Sequence, residues 1–374
     1  MRVAVVAEQM LAPVPGGIAR YTAELMAGLA RTAGPGDVVT GWTAWHRHVN
    51  GAAAPGAAGP RRLPLPRRPL TAAWERGFGP APRDADVLHA PSLLWPPRRK
   101  PLVITIHDTV PWTHPETLTP RGARWHRAMA ERAVHAGAAI AVSTHVVGEH
   151  LLDVLPHLVA ARVHVLGAGV SPALAAQPDP AHAADLGARL SLPDRFVLSL
   201  ATLEPRKGLD VLVHALAALG DRAPPLIAVG QPGWGGVDLD ASARAAGLRP
   251  GAVRAIGRLD DVDLAVVLRA ATALIAPSRA EGFGLPVAEA MSVGTPVICS
   301  DDPALVEVSG GCAVVVTRGD ARQLADAIEA LFGDADWRRR LVAAGYPRAR
   351  AYNWDAVARR SWQLYRDIAS ESAR

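Results

Sequence analysis

Two glutamates stand at the ends of a glycine-bearing segment, Glu281-Gly-Phe-Gly-Leu-Pro-Val-Ala-Glu289, and are candidates for chemistry. The apolar run Ala273–Pro277 before them predicts a buried strand, and the stretch 287–293 predicts a helix. Such a loop points backbone N–H groups and the positive end of a helix at an anion, and its glycines permit close approach of a ligand. The carboxylates could accept hydrogen bonds from sugar or ribose hydroxyls. Alternatively, Glu289 only complements the helix dipole.

Arg206 and Lys207 form a second candidate pair, after a strand-like segment and a Glu-Pro turn and before the predicted helix Gly208–Leu219. Two adjacent cations at a helix N-terminus are unfavourable without an anion, which favours a bound diphosphate as their partner. The alternative interpretation is a solvated basic pair at a turn. Lys207 is one of only two lysines in the chain, the other being Lys100.

Two further candidates lie in the N-terminal half. Gly16-Gly17 stands between the first predicted strand and the first predicted helix, and it lacks the G-x-G-x-x-G pattern of a nicotinamide site. It could also be a plain strand-to-helix turn. His107 follows the apolar strand Leu102–Ile106, so it stands at the carboxyl end of a strand, where ligands of parallel sheets bind. The alternative for His107 is a turn histidine whose hydrogen bonds are satisfied locally.

Three motifs in this chain together resemble the family-4 type of retaining GT-B glycosyltransferases (glycosyl transferases group 1), most of all the bacterial mannosyltransferases. They are the segment Glu281–Glu289, the segment Ala201-Thr-Leu-Glu-Pro-Arg-Lys-Gly208 and the segment Pro15-Gly-Gly-Ile-Ala-Arg-Tyr21. The resemblance implies that the catalytic residues are His107, Arg206, Lys207 and Glu281. It implies that the donor-binding residues are Gly16, Gly17, Arg206, Lys207, Glu281, Gly282, Phe283, Gly284, Leu285 and Glu289.

The resemblance also implies a role for each side chain. Arg206 and Lys207 would neutralise the leaving nucleoside diphosphate, and Glu281 would contact hydroxyls of the transferred sugar. Glu289 would contact the ribose, and His107 would lie beside the reacting sugar. No metal ion, no cofactor and no dedicated protein base are expected, since a phosphate oxygen can take the proton of the acceptor hydroxyl.

The expected donor is a nucleotide diphosphate sugar, with GDP-mannose as the first expectation. UDP-glucose, UDP-N-acetylglucosamine and dTDP-sugars remain open, because base contacts in this family lie in variable loops. The expected acceptor is a hydroxyl of a glycan, a lipid-linked glycan or a natural product. Two other functions remain open. One is a nucleotide-sugar epimerase or hydrolase, with His107 as the candidate to activate water. The other is a degenerate, non-catalytic nucleotide-sugar-binding protein.

Short apolar strands alternate with helical stretches, which predicts an α/β fold with doubly wound parallel sheets. The length of 374 residues predicts two domains. We place an N-terminal Rossmann-like acceptor-side domain at 1–175, a C-terminal Rossmann-like donor domain at 176–352 and a crossover helix at 353–374 that packs on the N-terminal domain. The resemblance implies a GT-B architecture in which the two domains face each other across a cleft.

Details of the halves follow from composition and periodicity. The segment Asn50–Pro82 is rich in Ala, Gly, Pro and Arg and is predicted to be a long surface excursion. In the last helix, one apolar face is predicted, made of Trp354, Val357, Ser361, Leu364 and Tyr365. Cys299 and Cys312 are predicted to be buried small residues, and no Cys/His spacing indicates a zinc site.

Composition limits the location and the partners. The chain is 49 % hydrophobic, has a formal net charge of +5, and contains neither a membrane-spanning run nor a signal peptide, so a cytoplasmic protein is expected. Basic clusters at Arg61-Arg62, Arg67-Arg68 and Arg98-Arg-Lys100 are interpreted as solvated loops or as a patch for anionic lipid or an anionic acceptor at the inner face of the membrane. Nucleic acid is not expected, because no basic helix or aromatic platform accompanies the arginines.

Overall fold

The structure, a computed structural model, describes residues 1–13, 16–97 and 100–372. It divides into two compact units. The first unit joins Met1–Ala168 to the C-terminal stretch that begins at Asn353, and the second unit is Gly169–Tyr352. Within the described ranges, no helix is long and apolar enough to cross a membrane.

Seven parallel strands form the sheet of the first unit, in the order β3-β2-β1-β4-β5-β6-β7. They are β1 (Arg2–Val6), β2 (Val38–Trp45), β3 (Ala58–Pro66), β4 (Val87–Ala90), β5 (Leu102–Thr105), β6 (Ala139–Val142) and β7 (Val163–Val165). Every residue of β4, β5 and β6 is buried, because helices cover both faces of a doubly wound sheet. This burial explains why these strands are continuous apolar runs in the sequence.

The sheet of the second unit has six parallel strands in the order β10-β9-β8-β11-β12-β13. They are β8 (Val197–Leu200), β9 (Leu226–Val229), β10 (Val253–Gly257), β11 (Ala273–Ala276), β12 (Val297–Ser300) and β13 (Val314–Val316). The strand order reverses between β8 and β11, as in dinucleotide-binding Rossmann sheets. The prediction of Rossmann-like parallel sheets is confirmed in both units.

Helices connect the strands in each unit. Those of the first unit are α1 (Gly16–Arg31), α2 (Arg67–Glu75), α3 (Val110–Thr113), α4 (Pro120–His135), α5 (His145–Val154) and, at the end of the chain, α15 (Trp354–Ser372). Those of the second unit are α6 (Pro172–Ala175), α7 (Pro180–Arg189), α8 (Leu209–Leu219), α9 (Leu239–Ala245), α10 (Asp261–Ala270), α11 (Leu285–Val293), α12 (Pro303–Ser309), α13 (Ala321–Gly333) and α14 (Ala335–Ala349).

The predicted surface excursion over Asn50–Pro82 is wrong. The segment contains β3 and α2, and its side chains Leu63, Leu70 and Trp74 are buried in the core of the first unit. Prolines and glycines made this segment resemble a loop. The strand tolerates prolines because it lies at the edge of the sheet and pairs only with β2.

The helix α15 packs within the first unit through the predicted apolar face, which is confirmed. All five of the predicted face residues are buried, namely Trp354, Val357, Ser361, Leu364 and Tyr365. The helix approaches α1 closely at Gly28, where a Cβ atom would lie 3.0 Å from the carbonyl oxygen of Trp354. The indole N–H of Trp362 donates to the carbonyl oxygen of Leu29 at 3.1 Å.

The two cysteines differ in burial. Cys299 lies in the buried strand β12, as predicted, and burial raises the pKa of its thiol to about 12. The prediction of burial is wrong for Cys312, which is partly exposed. The reason is that Cys312 precedes β13 in a turn instead of opening the strand, and its Sγ lies 3.4 Å from the carbonyl oxygen of Ala344.

Two of the three predicted basic clusters lie on β3 and α2 of the first unit. A guanidinium of β3, Arg61, lies 3.6 Å from Asp84, and a guanidinium of α2, Arg67, lies 3.6 Å from the buried carboxylate of Glu8. Arg98 and Arg99 of the third cluster lie outside the described residues. Binding to anionic lipid stays a prediction.

Candidate functional site

The loops that follow β8 and β11 lie side by side at one edge of the second sheet. These two strands are neighbours, and the strand order reverses between them. In doubly wound sheets, ligands bind beyond the carboxyl ends of the strands at such a reversal. The loop after β8 carries Arg206 and Lys207, and the loop after β11 carries Glu281. The fold therefore brings these three predicted residues together.

Gly208 sets how closely the two loops approach. It precedes α8 with a φ of 65°, and a Cβ atom at this position would lie 2.1 Å from the carbonyl oxygen of Pro277. Next to this contact, the backbone N–H of Arg279 donates to the carbonyl oxygen of Arg206 at 2.8 Å. Glycine provides both the left-handed backbone and the space for this approach.

We expect Gly208→Ala to destabilise the protein more than Gly236→Ala. Both glycines have a φ of 65°, so both substitutions carry the cost of a left-handed backbone, about 1–2 kcal/mol. A Cβ atom at Gly236 meets nothing within 4 Å, whereas one at Gly208 meets the backbone of Pro277. The clash should add about 1–3 kcal/mol to the loss at Gly208, measured by urea unfolding of both variants. Equal losses would show that the two loops separate freely.

The side chain of Arg279, in the loop after β11, also bonds to the loop after β8 and to the start of α8. Its Nη1 donates to the carbonyl oxygen of Pro205 at 2.7 Å and to Asp210 Oδ1 at 2.8 Å, and its Nη2 donates to Asp210 Oδ2 at 2.6 Å. Burial alone would raise the pKa of Asp210, but the bonds and charge of Arg279 outweigh it and lower that pKa. Sequence reasoning missed both residues, because neither belongs to a motif with a known spacing.

The carboxylate of Glu281 joins the two loops at their centre. Lys207 Nζ and Ser278 Oγ each donate to Oε1 at 2.7 Å, and Arg206 Nη1 donates to Oε2 at 3.3 Å. The backbone N–H of Glu281 donates to Asp302 Oδ2 at 3.2 Å. Both carboxylate oxygens of Glu281 thus accept hydrogen bonds, Oε1 from Lys207 and Ser278 and Oε2 from Arg206.

The pKa values of two neighbouring carboxyl groups shift in opposite directions. Burial would raise the pKa of Glu281, but the charges of Lys207 and Arg206 and the hydrogen bonds from Lys207 and Ser278 lower it to about 2. Burial, together with the charge of Glu281, raises the pKa of Asp302. Glu281 is therefore ionised at neutral pH. A strongly shifted carboxyl group at the ligand-binding edge of a sheet marks a candidate functional site.

The chain itself supplies anions beside the two cations, which the sequence interpretation did not foresee. In addition to Glu281, Glu204 accepts a hydrogen bond through Oε1 from Arg206 Nη2 at 2.7 Å. The cation pair alone therefore does not require an external anion. The side chains of Arg206 and Lys207 are only 17 % and 15 % exposed, so the alternative of a solvated basic pair is wrong.

The Gly-Phe-Gly loop leads from Glu281 into α11. Gly284 precedes the helix with a φ of 83°, and a Cβ atom there would lie 2.2 Å from Leu305 Cδ2. The ring of Phe283 packs edge-on against Tyr352, with centroids 5.2 Å apart, and Gly282 is buried beside it. Leu285 is the first residue of α11; Pro286 has no N–H to donate, and the N–H of Val287 donates to the carbonyl oxygen of Gly284 at 2.9 Å.

A narrow pocket opens at the carboxyl ends of β8 and β11. Its polar lining comes from Ser199, Lys207, Ser278 and Glu281, and Gly284 lines it from the start of α11. Glu289 lies further along α11 and is buried, with 1 % exposure. Its contact with a ribose stays a prediction. Among the described residues, no group of three or more His, Cys, Asp or Glu side chains could hold a metal ion.

In the first unit, the predicted glycines stand at the exposed start of α1. Gly16 has a φ of 60°, and a Cβ atom built on Gly16 or Gly17 meets nothing within 4 Å. Packing within the described residues therefore does not require glycine at Gly17. Pro15 of this motif lies outside the described residues. The donor contacts of both glycines stay a prediction.

His107 lies just beyond the carboxyl end of β5, as predicted. Its Nε2 lies 2.8 Å from the carbonyl oxygen of Pro91, which can only accept, so Nε2 carries a proton. Burial lowers the pKa of His107, so the ring is neutral at pH 7 and its Nδ1 is an acceptor. The ring of Tyr21 meets it edge-on, with centroids 4.8 Å apart.

Two family models match the chain, one in each half. Residues 15–174 match the model described as Glycosyltransferase Family 4, and residues 188–348 match the model described as Glycosyl transferases group 1. The chain belongs to this glycosyltransferase family. The second match contains the whole Arg206, Lys207 and Glu281 cluster.

Several curated relatives of this family-4 glycosyltransferase match part of the chain. An O-antigen chain mannosyltransferase B of Escherichia coli is 33 % identical over 46 % of this chain and 45 % of its own length. A phosphatidyl-myo-inositol mannosyltransferase of Mycobacterium leprae is 35 % identical over 46 % of each chain. A D-inositol 3-phosphate glycosyltransferase of Frankia alni is 34 % identical over 66 % of this chain and 63 % of its own length. The chain thus spans about half the length of the first two relatives.

Solved structures of low sequence identity show the GT-B fold. HepE of Anabaena, in complex with UDP and glucose, has a TM-score of 0.73 at 18 % identity and matches 99 % of this chain and 100 % of its own. WaaG, a glycosyltransferase involved in lipopolysaccharide biosynthesis, has a TM-score of 0.72 at 18 % identity, over 98 % of this chain and 99 % of its own.

Proposed function

We propose that this family-4 glycosyltransferase is a retaining enzyme that moves a hexose from a nucleotide diphosphate sugar to an acceptor hydroxyl. The observation that supports this most is the cluster of Arg206, Lys207 and Glu281 at the strand-order reversal of the second unit. A cation pair fixed at this edge, beside the start of α11, suits a diphosphate that gains charge as it leaves.

Lys207 is the side chain that would meet the leaving diphosphate. It lines the pocket, and its ammonium group has three N–H donors, of which the bond to Glu281 uses one. The start of α11 lines the same pocket through Gly284, Pro286 and Val287. Positive charge held in place before the reaction costs no reorganisation during it, which is why such groups lower the barrier.

Bond changes can be assigned without a protein base. The bond between the sugar C1 and the phosphate oxygen breaks, and its electron pair stays on the diphosphate. The acceptor oxygen bonds to C1 on the face that the diphosphate leaves, and its proton passes to a phosphate oxygen. Glu281 orients Arg206 and Lys207 and has acceptor capacity left for a sugar hydroxyl. Its engagement by two cations disfavours a role as covalent nucleophile.

The proposed donor is GDP-mannose and the proposed acceptor is a glycan or lipid-linked hydroxyl. The first two relatives are named as mannosyltransferases, and their names include an O-antigen chain and phosphatidyl-myo-inositol. UDP-glucose is the second donor to test, because HepE was solved with UDP and with UDP-glucose. A hydrolase or epimerase is the alternative, with neutral His107 as the group that would accept a proton from water through Nδ1.

The proposal is tested by offering the purified protein α-linked GDP-mannose or UDP-glucose together with glycan and lipid-linked acceptors. We expect nucleoside diphosphate release coupled to an α-linked product, with the anomeric configuration read by NMR. A β-linked product would contradict retention. Donor cleavage without a glycosylated product would favour the hydrolase, and binding without turnover would favour a non-catalytic protein.

Chelation is the matching test of the metal-independent mechanism. Because Arg206 and Lys207 supply the charge that faces the diphosphate, we expect excess EDTA to leave the transfer rate unchanged. The measurement is the initial rate with and without chelator, followed by addition of Mg²⁺ or Mn²⁺. A rate that falls with EDTA and recovers with a divalent cation would disprove metal independence.

A further inference from the structure

We propose that Arg279 is a positioning residue for the transfer, which rests on the proposed function. Arg279 does not line the pocket described above, and no motif of the sequence singled it out. It connects the loop after β11 to the turn that carries both cations. Through this connection it would fix where Arg206 and Lys207 stand relative to Glu281.

Four hydrogen bonds attach Arg279 to the turn Pro205–Lys207, a single 3-10 turn, and to the helix that follows. The backbone N–H of Arg279 donates to the carbonyl oxygen of Arg206, and Nη1 of Arg279 donates to the carbonyl oxygen of Pro205. The two ends of its guanidinium hold both oxygens of Asp210, in the first turn of α8. A planar fork with two parallel bonds sets position and orientation together, which a single ammonium group cannot do.

The solvent exposure of the Arg279–Asp210 ion pair allows an effect on catalysis to be distinguished from an effect on folding stability. The side chains of Arg279 and Asp210 are 34 % and 51 % exposed, so water and salt screen their attraction. An ion pair of this kind adds little to folding stability. If the ion pair positions the turn that carries Arg206 and Lys207, its loss should lower kcat strongly and change the free energy of unfolding little. If the ion pair has no positioning role, its loss should change neither kcat nor the free energy of unfolding by much.

Steady-state kinetics of Arg279→Ala, Arg279→Lys and Asp210→Ala test the proposal. We expect Arg279→Ala to lower kcat by about 10- to 100-fold with KM changed less than about 3-fold, because a displacement near 1 Å of charged groups is enough for such a loss. Arg279→Lys should be intermediate, since it can reach Asp210 or Pro205 but not bridge both. The matched control is Arg222→Ala, which removes a 65 % exposed arginine paired with Glu329.

The double variant Arg279→Ala/Asp210→Ala sharpens the same test. Arg279 and Asp210 act through the same ion pair, so the losses of kcat in the two single variants should not be additive. The double variant should therefore be about as slow as the slower single variant. Additive losses, or a normal kcat for Arg279→Ala, would overturn the proposal. So would a loss confined to KM.

A second readout does not depend on catalysis. The chain has only two lysines, so protein labelled with ¹³C,¹⁵N-lysine gives side-chain NMR signals from Lys100 and Lys207 alone, assigned with Lys100→Arg. We expect Arg279→Ala to shift the Lys207 signals and to leave those of Lys100 in place. Unchanged Lys207 signals would overturn the positioning role. If the wild type transfers no sugar, the proposed function fails, and this spectrum still shows whether Arg279 positions Lys207.

Discussion

Lys207→Ala should lower kcat by about 10²- to 10³-fold, the loss expected when one preorganised donor to a developing charge is removed. Lys207 is the cation that both lines the pocket and bonds Glu281, so its removal takes away charge matched to the leaving diphosphate. Initial rates at saturating donor measure the effect. Binding of donor should weaken less than turnover, because the charge on the diphosphate grows as the bond to C1 breaks.

Lys100→Ala is the matched control, since it removes the only other lysine at an exposed position of the first unit. It should keep wild-type turnover. Lys207→Arg should be faster than Lys207→Ala and slower than wild type, because arginine restores the positive charge but its planar guanidinium differs in shape from an ammonium group. Circular dichroism and unfolding curves must show that Lys207→Ala is folded, because Glu281 loses one of its two cations. Near-normal turnover of a folded Lys207→Ala would refute its role in leaving-group stabilisation.

Glu281→Gln should remove a pH-dependent contribution to folding stability of about 3 kcal/mol, because its pKa falls from 4.5 to about 2 in the folded protein. A carboxyl group with a depressed folded-state pKa stabilises the protein above its unfolded pKa and loses that stabilisation as the pH falls. The window for Glu281 is therefore pH 4.5 down to about 2. Its side chain is only 11 % exposed, so solvent screening is limited.

Unfolding free energies of wild type and Glu281→Gln between pH 7 and pH 2 measure this contribution. The wild-type curve should fall more steeply below about pH 4.5, since the other carboxyl groups are common to both proteins. Glu116→Gln, at an exposed position of the first unit, should run parallel to wild type and serves as the control. Parallel curves for wild type and Glu281→Gln would contradict an ionised Glu281 held by Lys207 and Arg206.

The sheets were largely predictable because buried parallel strands are continuous apolar runs. β5 and β11 were predicted to within one residue on this basis. β3 and α2 were not, because the prolines and glycines of an edge segment resemble those of a loop. Local composition does not report that Leu63 and Trp74 complete a core built from distant strands.

The sequence predicted which residues belong to the candidate site, but it did not predict which of their side chains contact each other. Motif spacing singled out Arg206, Lys207 and Glu281, but Lys207 and Glu281 are 74 residues apart, and no periodicity relates their side chains. Their ion pair depends on β8 and β11 being neighbours, which only the strand order shows. Arg279 and Asp210 were missed for the same reason. The roles of His107, Gly16 and Glu289 stay predictions.

The central claim is that the cations beside Glu281 bind the diphosphate of a nucleotide sugar. It is tested most directly by thermal-shift titrations of wild type and Lys207→Ala with GDP, UDP, dTDP and ADP and their common sugar conjugates. A ligand that binds the native state raises the melting temperature by mass action. We predict a clear rise for wild type with one nucleotide, GDP first, and a much smaller rise for Lys207→Ala. No rise with any nucleotide, or equal rises in both proteins, would contradict the claim.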